Sequence, residues 1–368
     1  MKKINVGILF GGRSTEHEVS LQSAKNIIDA IDKEKYNITL IGIDKTGHWY
    51  LNDSSRFLLN SNDPKYIALH TTDKDVVIVP GEERQKLLCI SDRSISGTID
   101  VVFPVLHGPY GEDGTVQGLL KLANIPFVGA GVLGSAVGMD KDVTKRLLRD
   151  AGIPIAKFLV CHKWDRDNFN FYEISRQLGL PLFVKPANAG SSVGVSKVKN
   201  EQQFIKAVQE AFEFDTKVLI EEFVEGREVE CAVLGNENPI ASSVGEIIAQ
   251  QEFYSYEAKY IDENGAILEI PAKLPDDIVK MIQELAVKTF KVLCCEGMAR
   301  VDFFLTKDNK AIVNEINTIP GFTKISMYPK LWEISGITYG ELIDKLIQLA
   351  LDRHAREQHL KTSYDKTL

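Results

Sequence analysis

MARVDFFLTKDNKAIVNEINTIPG, residues 298–321, is the stretch from which both the fold and the chemistry of this chain can be argued. Two apolar-rich runs flank Lys307-Asp308-Asn309-Lys310, and that turn-forming composition predicts a β-hairpin. If the turn is centred on the middle of this tetrapeptide, a loop of two residues and a loop of four give the same pairing of the strands. A loop with an odd number of residues would shift that pairing.

The even-numbered register places Asp302 directly opposite Glu315, and Arg300 opposite Asn317. Because side chains two residues apart on a strand share a face, all four then point the same way. Two carboxylates directly opposite each other repel. A bound divalent cation would remove the conflict, since carboxylate and amide oxygens are ligands that Mg²⁺ accepts. The hairpin therefore predicts a metal site formed by Asp302, Glu315 and Asn317.

The composition is that of a soluble globular protein of two or three domains. The chain has 368 residues, of which 44% are hydrophobic and 26% charged, both ordinary values. A net charge of −8 gives no support to binding of nucleic acid or of an anionic membrane surface. No apolar run approaches the roughly 20 residues that span a bilayer. The five cysteines are scattered and lack CxxC spacing, which predicts a cytoplasmic protein with neither a disulfide framework nor a zinc site.

Strand and helix patterns alternate in the first third of the chain, which indicates a parallel α/β layer. Ile4 to Phe10 has the pattern of a buried first strand rather than of a secretion signal. The helix that follows has a potential capping box in Thr15 and Glu18. Residues 52–96 are polar and less regular, and they predict inserted loops or short strands. Further along, Asp140 is expected to cap the N-terminus of a helix.

Three glycine-rich segments could bind phosphate or carboxylate groups. FGGRSTEHE, residues 10–18, joins a strand to a helix, where backbone N–H groups favour anions. Tight turns explain its glycines equally well, and Glu16 taken alone favours a structural role. HGPYGEDGTVQG, residues 107–118, follows a predicted parallel strand at the edge where α/β proteins bind ligands. VKPANAGSSVGVSKV, residues 184–198, predicts a flexible turn between two strands, the second of which includes Val193 and Val195.

Two lysines indicate phosphate binding. Lys185 enters an apolar strand, and because an unpaired buried lysine is costly, its position argues against a plain solvent-exposed turn. Lys141 would stand at a helix N-terminus. There its charge has the wrong sign for the helix dipole, and a bound phosphate would correct this.

Together these segments resemble the ATP-grasp superfamily and, within it, the D-alanine–D-alanine ligases. HGPYGEDGTVQG is similar to the family's first signature, and GMARVDFFLT followed by VNEINTIPGFTKISM is similar to its second. LFGGRSTEHEVS and FYSYEAKY resemble two further family segments, so the match covers nearly the whole chain. The resemblance implies an α/β (α+β) fold with three-domain ATP-grasp architecture. A parallel α/β N-terminal domain (1–129) would be followed by two antiparallel-sheet domains that clamp ATP (130–221 and 222–368).

The resemblance also implies the nucleotide site. Asp302, Glu315 and Asn317 would hold two Mg²⁺ ions, or Mn²⁺ in their place, that bridge the phosphates of ATP. Phosphate contacts would come from the lysines and from the loop 189–194, adenine would lie against the run 221–224, and an acidic residue would bind the ribose hydroxyls. The residues so implied are Lys141, Lys185, Ser192, Lys259, Glu221, Glu222, Phe223, Val224 and, on the ribose, Glu228.

The reaction implied by the resemblance is the ATP-dependent ligation of two D-alanine molecules through a D-alanyl phosphate, for peptidoglycan precursor synthesis. ADP and phosphate are released, and positioning and charge stabilisation carry the chemistry. The implied catalytic residues are Glu16 on the ammonium of the first D-alanine, Ser191 and Tyr260 as its hydrogen-bonding partners, and Arg300 with the Gly321 N–H on the oxyanion. The implied substrate-binding residues are His107 for the first D-alanine, and Ser326 and Met327 for the carboxylate of the second.

A lid loop at about 246–265 carries aromatic residues without helix or strand periodicity, and it would exclude water from the acyl phosphate. Tyr260 in this loop favours D-alanine over D-lactate as the acceptor. The alternatives are a D-alanine–D-lactate ligase or another ATP-grasp carboxylate–amine ligase. A nicotinamide dehydrogenase built on the N-terminal strand–helix unit requires a GxGxxG fingerprint, and FGGRSTEHE lacks that spacing. A non-catalytic nucleotide-binding module does not need the acidic pair of the hairpin. A homodimer is implied by the resemblance alone.

Overall fold

The computed structural model describes residues 2–61, 63, 65–81, 87–90, 92, 94–249 and 266–361. Lys259, Tyr260 and most of the expected lid lie outside these residues. No helix within the described ranges combines the length and the apolar character that crossing a bilayer requires.

The elements are as follows. The strands are β1 Ile4–Gly11, β2 Tyr36–Ile43, β3 Trp49–Asn52, β4 Leu58–Leu59, β5 Ala68–Leu69, β6 Val76–Ile78, β7 Leu87–Cys89, β8 Ile95–Gly97, β9 Val101–Val105, β10 Phe158–His162, β11 Leu182–Pro186, β12 Ser196–Val198, β13 Lys217–Glu222, β14 Arg227–Gly235, β15 Ile240–Ala249, β16 Ala266–Glu269, β17 Gly297–Leu305 and β18 Ala311–Asn317. The α-helices are α1 His17–Ala30, α2 Thr115–Leu122, α3 Val132–Met139, α4 Lys141–Asp150, α5 Phe171–Leu178, α6 Glu201–Phe214, α7 Asp276–Val292, α8 Met327–Ile334 and α9 Tyr339–Gln358, with a 3₁₀ helix at Lys163–Asn168.

The first sheet has the order β3-β2-β1-β9, with β1 parallel to β2 and β9 and an antiparallel edge strand β3. From Val6 onwards β1 is fully buried, as expected of a continuous apolar run inside a parallel sheet. Helix α1 packs on this sheet through the apolar stripe that includes Leu21, Ala24 and Ile27. The predicted parallel α/β layer is confirmed.

The start of α1 differs from the sequence prediction. Glu16 is the N-cap residue, and the described residues contain no side-chain hydrogen bond that caps this helix. The expected capping box of Thr15 and Glu18 is therefore wrong. Glu18 instead forms an ion pair with Lys45, at 2.6 Å between Oε1 and Nζ, because the turn after β2 brings this lysine beside the helix.

Residues 52–96 contribute short strands, one of the two forms expected for this polar stretch. Strands β4 and β5 pair with each other, and β6, β7 and β8 form a small antiparallel sheet. Phe57 packs edge-on against Phe10 of β1, with ring centroids 5.6 Å apart, so this part of the chain extends the core of the first sheet.

The second sheet is antiparallel, in the order β10-β13-β11-β12, and α5 and α6 cover it. The Asp140 side chain caps α4 as predicted, accepting hydrogen bonds from the N–H groups of residues 142 and 143, each at 3.1 Å. The strand predicted to include Val193 and Val195 begins only at Ser196. The chain before it is occupied by turns, because the glycine–serine segment bends back before pairing can start.

The third sheet is also antiparallel, in the order β16-β15-β14-β17-β18. Helix α7 packs on one face, with Ile282 and Phe290 in the core cluster, and α8 and α9 share a second cluster with the first sheet. Arg353 of α9 is buried and donates to the carbonyl oxygens of Phe127 and Gly129, at 2.7 and 2.5 Å. The C-terminal helix thus connects the third sheet to the first.

The hairpin of β17 and β18 has the predicted register with a different loop. Leu305 pairs with Ala311, so the loop has five residues, an odd number. Asp302 nevertheless pairs with Glu315, because the register shifts immediately after Asp302. The shift inserts one extra residue, Asn314, as a β-bulge. The odd loop and the bulge compensate each other, and the paired carboxylates stand where the sequence placed them.

Candidate active site

Two adjoining cavities share Gly190 and Glu315 in their walls. The first, called the Glu16 cavity, is lined by these residues of the predicted site: Glu16, His107, Ser191, Arg300, Glu315, Asn317, Gly321, Ser326 and Met327. The second, called the Glu221 cavity, is lined by these: Lys141, Lys185, Ser192, Glu221, Glu222, Phe223, Val224, Glu228 and Glu315. Asp302 contacts the residues of the first group. The structure thus brings together every predicted site residue that it describes.

The hairpin face carries a dense network of charges. The guanidinium of Arg300 binds Asp302 through two hydrogen bonds of 2.7 Å, and its Nε lies 2.8 Å from Oε2 of Glu230 on the neighbouring strand β14. The Asn317 amide donates to Asp302 at 3.0 Å. Bidentate pairing of this kind fixes both partners, so the orientation of Arg300 is set from two strands.

The same face has the donor chemistry of a divalent cation site. Asp302, Glu315 and Asn317 supply two carboxylates and an amide oxygen, which suit Mg²⁺ or Mn²⁺. Lys141 balances part of the charge, with its Nζ 3.5 Å from Oε2 of Glu315. Among the described residues and with Glu230 counted, three carboxylates and two cations meet here. The residues present fit such an ion.

The Glu221 cavity has a volume of about 270 Å³ and combines cationic and apolar walls. Lys141 stands at the start of α4 and donates to the Ala189 carbonyl at 2.7 Å. The rings of Phe183 and Phe223 also line this cavity, with centroids 6.2 Å apart, and Lys197 Nζ lies 4.9 Å from the centre of the Phe223 ring. A flat aromatic group with anionic substituents would match both walls.

The loop between β11 and β12 closes over Glu16. Ser191 and Ser192 have φ of 50° and 61°, a left-handed conformation that is unusual for residues other than glycine and often marks a functional loop. The Ser191 hydroxyl donates to the Glu16 carboxylate. At Gly190, an added Cβ would lie only 2.7 Å from Oε2 of Glu16. The absence of a side chain at this glycine therefore allows the loop to reach the carboxylate.

Residues 319–322 are held by hydrogen bonds from side chains of α1 and of the segment that follows β9. His107 Nδ1 lies 2.9 Å from the Ile319 carbonyl, and Ser23 Oγ accepts from the Phe322 N–H at 3.2 Å. Ser23 Oγ also lies 3.3 Å from His107 Nε2. Burial lowers the pKa of His107 to about 4, although the hydrogen bond to the Ile319 carbonyl by itself would raise this pKa. The ring is therefore neutral, and since the carbonyl can only accept, its proton is on Nδ1.

Glu112 completes this attachment. Its carboxyl accepts from the Gly108 N–H at 2.7 Å and from the Ile319 N–H at 3.1 Å. Burial raises the pKa of Glu112 to about 8, and the nearby charge of Glu16 adds to the shift. Both backbone groups of Ile319 are thus held by side chains of the glycine-rich segment 107–118. The position of Gly321, two residues on, depends on these contacts.

The far end of the Glu16 cavity is the N-terminus of α8. Ser326 is the N-cap residue and Met327 the first residue of the helix, where N–H groups and the helix dipole favour a carboxylate. The Ser326 hydroxyl accepts from the Thr323 N–H at 3.0 Å. A Cβ at Gly321 would lie 2.8 Å from this hydroxyl, so the glycine keeps the two segments close.

Among the residues that were not identified from the sequence, Glu112 and Glu230 line the Glu16 cavity. Ser23 and Lys145 contact the wall residues His107 and Glu221. Glu112 lies within a segment that was singled out, and its acidic character was a usable signal. Ser23 and Glu230 had no such signal in the sequence, because Ser23 lies within helix α1 and Glu230 within strand β14. Lys145 follows Lys141 by one helical turn, a spacing that places both on one side of α4.

Comparisons with known proteins agree with this geometry. The family model "D-ala D-ala ligase N-terminus" matches residues 5–130, and "D-ala D-ala ligase C-terminus" matches residues 147–348. A D-alanine–D-alanine ligase of Oceanobacillus iheyensis is 58% identical over 363 residues, covering 99% of each chain.

Solved structures agree as well. The VanG D-Ala:D-Ser ligase of Enterococcus faecalis is similar with a TM-score of 0.83 and 39% identity, covering 95% of this chain and 100% of that one. A Bacillus anthracis D-alanine–D-alanine ligase complexed with ATP has a TM-score of 0.72 and 29% identity, covering 96% and 99%. The expected mixed α/β ATP-grasp fold is confirmed. The chain belongs to the D-alanine–D-alanine ligase family.

Proposed function

We propose that this protein joins two D-alanine molecules into D-alanyl-D-alanine and converts ATP to ADP and phosphate, as a step of peptidoglycan synthesis. The observation that carries the proposal is the junction of the two cavities at Gly190 and Glu315. A nucleotide in the Glu221 cavity would direct its phosphates towards a small zwitterion in the Glu16 cavity. Relatives of the same length are named for this activity, and one is described with ATP.

The first step is attack of the D-alanine carboxylate on the γ-phosphate, with ADP as the leaving group. Glu16 is suited to bind the ammonium of this D-alanine, because its carboxylate is buried and held by Ser191. That contact would aim the substrate carboxylate at the cavity junction, where Lys141 and Glu315 lie. Holding the two reacting groups in line is the main contribution of the protein to this step.

The second step is attack of the amine of the second D-alanine on the acyl phosphate. The tetrahedral intermediate carries an oxyanion, and inorganic phosphate leaves as it collapses. Arg300 and the N–H of Gly321 line the cavity and would stabilise that oxyanion. The N-terminus of α8, at Ser326 and Met327, would bind the carboxylate of the second substrate. His107 would act through the Ile319 carbonyl, because both of its ring nitrogens are engaged.

The nucleotide contacts follow the walls of the Glu221 cavity. Adenine would lie along Glu221–Val224, and Glu228 would bind the ribose hydroxyls. The Glu222 carboxylate accepts from the Lys157 N–H at 2.8 Å, so its contact with adenine would come from its backbone. Lys141, Lys185 and Ser192 would bind phosphate. Asp302, Glu315 and Asn317 would hold two divalent cations, which when bound neutralise phosphate charge.

Further features of the proposal rest on the family resemblance. These are domain boundaries near residues 129 and 221, a homodimer, a cytoplasmic location, a lid, and contacts from Lys259 and Tyr260. The lid expected at about 246–265 would lie after residue 249, because residues 246–249 are the end of strand β15 and pair with β16. Sedimentation velocity would test the dimer: a single species at the monomer mass over micromolar concentrations would contradict it.

The function is tested by phosphate release from ATP with Mg²⁺, with and without D-alanine. We expect release to depend on D-alanine and D-alanyl-D-alanine to appear in equal amount. Phosphate release that is independent of D-alanine would overturn the proposal.

Acceptor choice needs a separate assay, because a similar solved structure is named as a D-Ala:D-Ser ligase. D-Alanine, D-serine and D-lactate should be compared as second substrates across pH, with D-alanine as the first. We expect D-alanine to be preferred at neutral pH. Turnover with D-lactate that rivals D-alanine would reassign the acceptor, and a change of the acceptor ratio in Tyr260→Phe would place that residue at this choice.

A further inference from the structure

Helix α4 carries two lysines one turn apart that meet different surroundings. Lys141 lines the Glu221 cavity. Lys145 has a side chain only 1% exposed, and it is not among the described residues that line either cavity. Its Nζ lies 2.6 Å from Oε1 of Glu221. A buried ammonium at this distance is an ion pair in a region of low dielectric, where its removal has large consequences.

Glu221 is shared between two lysines. Oε1 contacts Lys145, and Oε2 forms an ion pair with Lys185. Burial alone would raise the pKa of Glu221, but the charges of Lys145 and Lys185 outweigh it and the pKa is lowered. Burial lowers the pKa of Lys145, although the charge of Glu221 by itself would raise this pKa. The carboxylate thus has one more counter-ion than its charge requires.

The two lysines differ in what else they can reach. Lys185 lines the Glu221 cavity together with Glu221 and Lys141, so a phosphate in the cavity would compete for its ammonium. Lys145 is enclosed, and the ring of Phe158 lies 5.9 Å from its Nζ. One lysine can therefore leave the carboxylate for a ligand, and the other cannot.

We propose that Lys145 is a positioning residue of the nucleotide site: it is the permanent counter-ion of Glu221, and it allows Lys185 to transfer from Glu221 to the phosphates of ATP. The inference rests on the proposed nucleotide site. Without Lys145, departure of Lys185 would leave a buried carboxylate with no ion-pair partner among the residues that the structure describes, which is strongly unfavourable. With Lys145 in place, the carboxylate stays ionised and fixed, and it can accept a hydrogen bond from the exocyclic amine of adenine.

The test is nucleotide affinity of the full-length protein, measured by calorimetry with Mg²⁺ and without D-alanine. Lys145→Met keeps the length of the side chain and removes its charge. We expect affinity for ATP to fall about ten- to a hundredfold, the range of a lost hydrogen bond to a charged group. Affinity for adenosine should fall less. In this variant Lys185 remains bound to Glu221 and cannot contact the phosphates, which adenosine lacks. Equal losses for the two ligands, or no loss for ATP, would overturn the proposal.

Arg149→Met is the matched control. Arg149 lies on the same helix and its guanidinium is 6.0 Å from the centre of the same Phe158 ring, but it is exposed. This variant should bind ATP as the wild type does. Lys145→Gln guards against a folding defect in the methionine variant, since its amide keeps polar contact with Glu221. The glutamine variant should lose ATP affinity to a similar extent.

A double variant separates action through Glu221 from a general effect on α4. In the Glu221→Gln background there is no carboxylate to neutralise, so adding Lys145→Met should change ATP affinity less than threefold. The full loss in that background would contradict the proposed role. These binding assays contain no D-alanine, so their result is independent of the ligase assay. If the wild-type protein binds ATP but does not form the dipeptide, the proposed function is refuted, and the role of Lys145 in ATP binding can still be tested.

Discussion

The two cavities are built by different means. The Glu221 cavity takes Lys141, Lys185 and Glu221 from regular elements, namely the first turn of α4, β11 and β13. Glu221 is paired with Lys185 and with the enclosed Lys145. The Glu16 cavity takes much of its wall from loops, and side chains of distant segments hold the backbone of residues 319–322. We expect the first arrangement to determine affinity for a charged ligand. The second fixes the geometry of backbone donors, so damage to it should appear in kcat.

Glu315 belongs to both cavities, and its replacement should have the largest effect. In Glu315→Gln one of the two carboxylates of the proposed metal site is lost. We expect Mg²⁺-dependent phosphate release to fall by about 10² to 10³, the scale of a lost electrostatic contact in a transition state. Thermal unfolding should be nearly unchanged. Asp308→Asn, in the exposed turn of the same hairpin, is the control, and near-normal activity of Glu315→Gln would mean that the metal site is misplaced.

Gly190→Ala, at the junction of the cavities, should affect the two substrates differently. The new Cβ would lie 2.7 Å from Oε2 of Glu16, so either the loop or the carboxylate must move. We expect kcat/KM for D-alanine to fall about ten- to a hundredfold, since small displacements at a reacting centre are costly. ATP affinity should change much less. Gly118→Ala in α2, where an added Cβ meets no atom within 4 Å, is the control. Equal effects on both substrates would contradict the division between the cavities.

Ser23→Ala tests the attachment of residues 319–322. The variant leaves the Phe322 N–H and His107 Nε2 without their shared hydroxyl, and should lose about 1–3 kcal/mol of stability. We also expect a lower kcat with unchanged KM for ATP. Ser20→Ala is a matched control, because this equally buried serine bonds the Gly11 N–H and the Val105 carbonyl within the first sheet. It should lose similar stability and keep its kcat; the same kcat defect in both variants would remove the specific role of Ser23.

The smallest effect concerns pH and Glu112. Its pKa is raised from 4.5 to about 8, so the folded state binds more protons than the unfolded state between these values. Stability should therefore fall as pH rises towards 8. The pKa of His107 is lowered from 6.5 to about 4. Its effect on the pH dependence of stability therefore has the opposite sign, and it acts below about pH 6.5. Between pH 6.5 and 8 we expect a loss of about 1–2 kcal/mol, measured by urea unfolding. Glu112→Gln should abolish this slope, and an unaltered slope would refute the assignment.

How far the sequence predicted the site can be judged from particular residues. The pairing of Asp302 with Glu315 was predicted correctly from a wrong loop length, because the bulge at Asn314 restores the register. No local pattern announces such a bulge. Phosphate binding by Lys185 stays a prediction. The ion pair with Glu221, which offsets the cost of burying this lysine, was not predicted and required the fold.

Other features were beyond the sequence for physical reasons. Lys141 and Lys145 are one turn apart and equivalent in a helical pattern, and only packing against β10 and β13 decides which is enclosed. The hydrogen bonds of Ser23 and Glu112 to residues 319–322 join positions about 200 to 300 apart in the chain. The parallel layer and the hairpins follow from local periodicity, whereas contacts of this kind depend on how the sheets meet.

The central claim is that the two cavities pass a phosphoryl group from ATP to the carboxylate of D-alanine where they meet. The most direct measurement uses D-alanine labelled with ¹⁸O in its carboxylate, with the released inorganic phosphate analysed by mass spectrometry. If an acyl phosphate forms, one labelled oxygen is transferred to phosphate for each dipeptide made. Dipeptide formation with unlabelled phosphate would contradict the account.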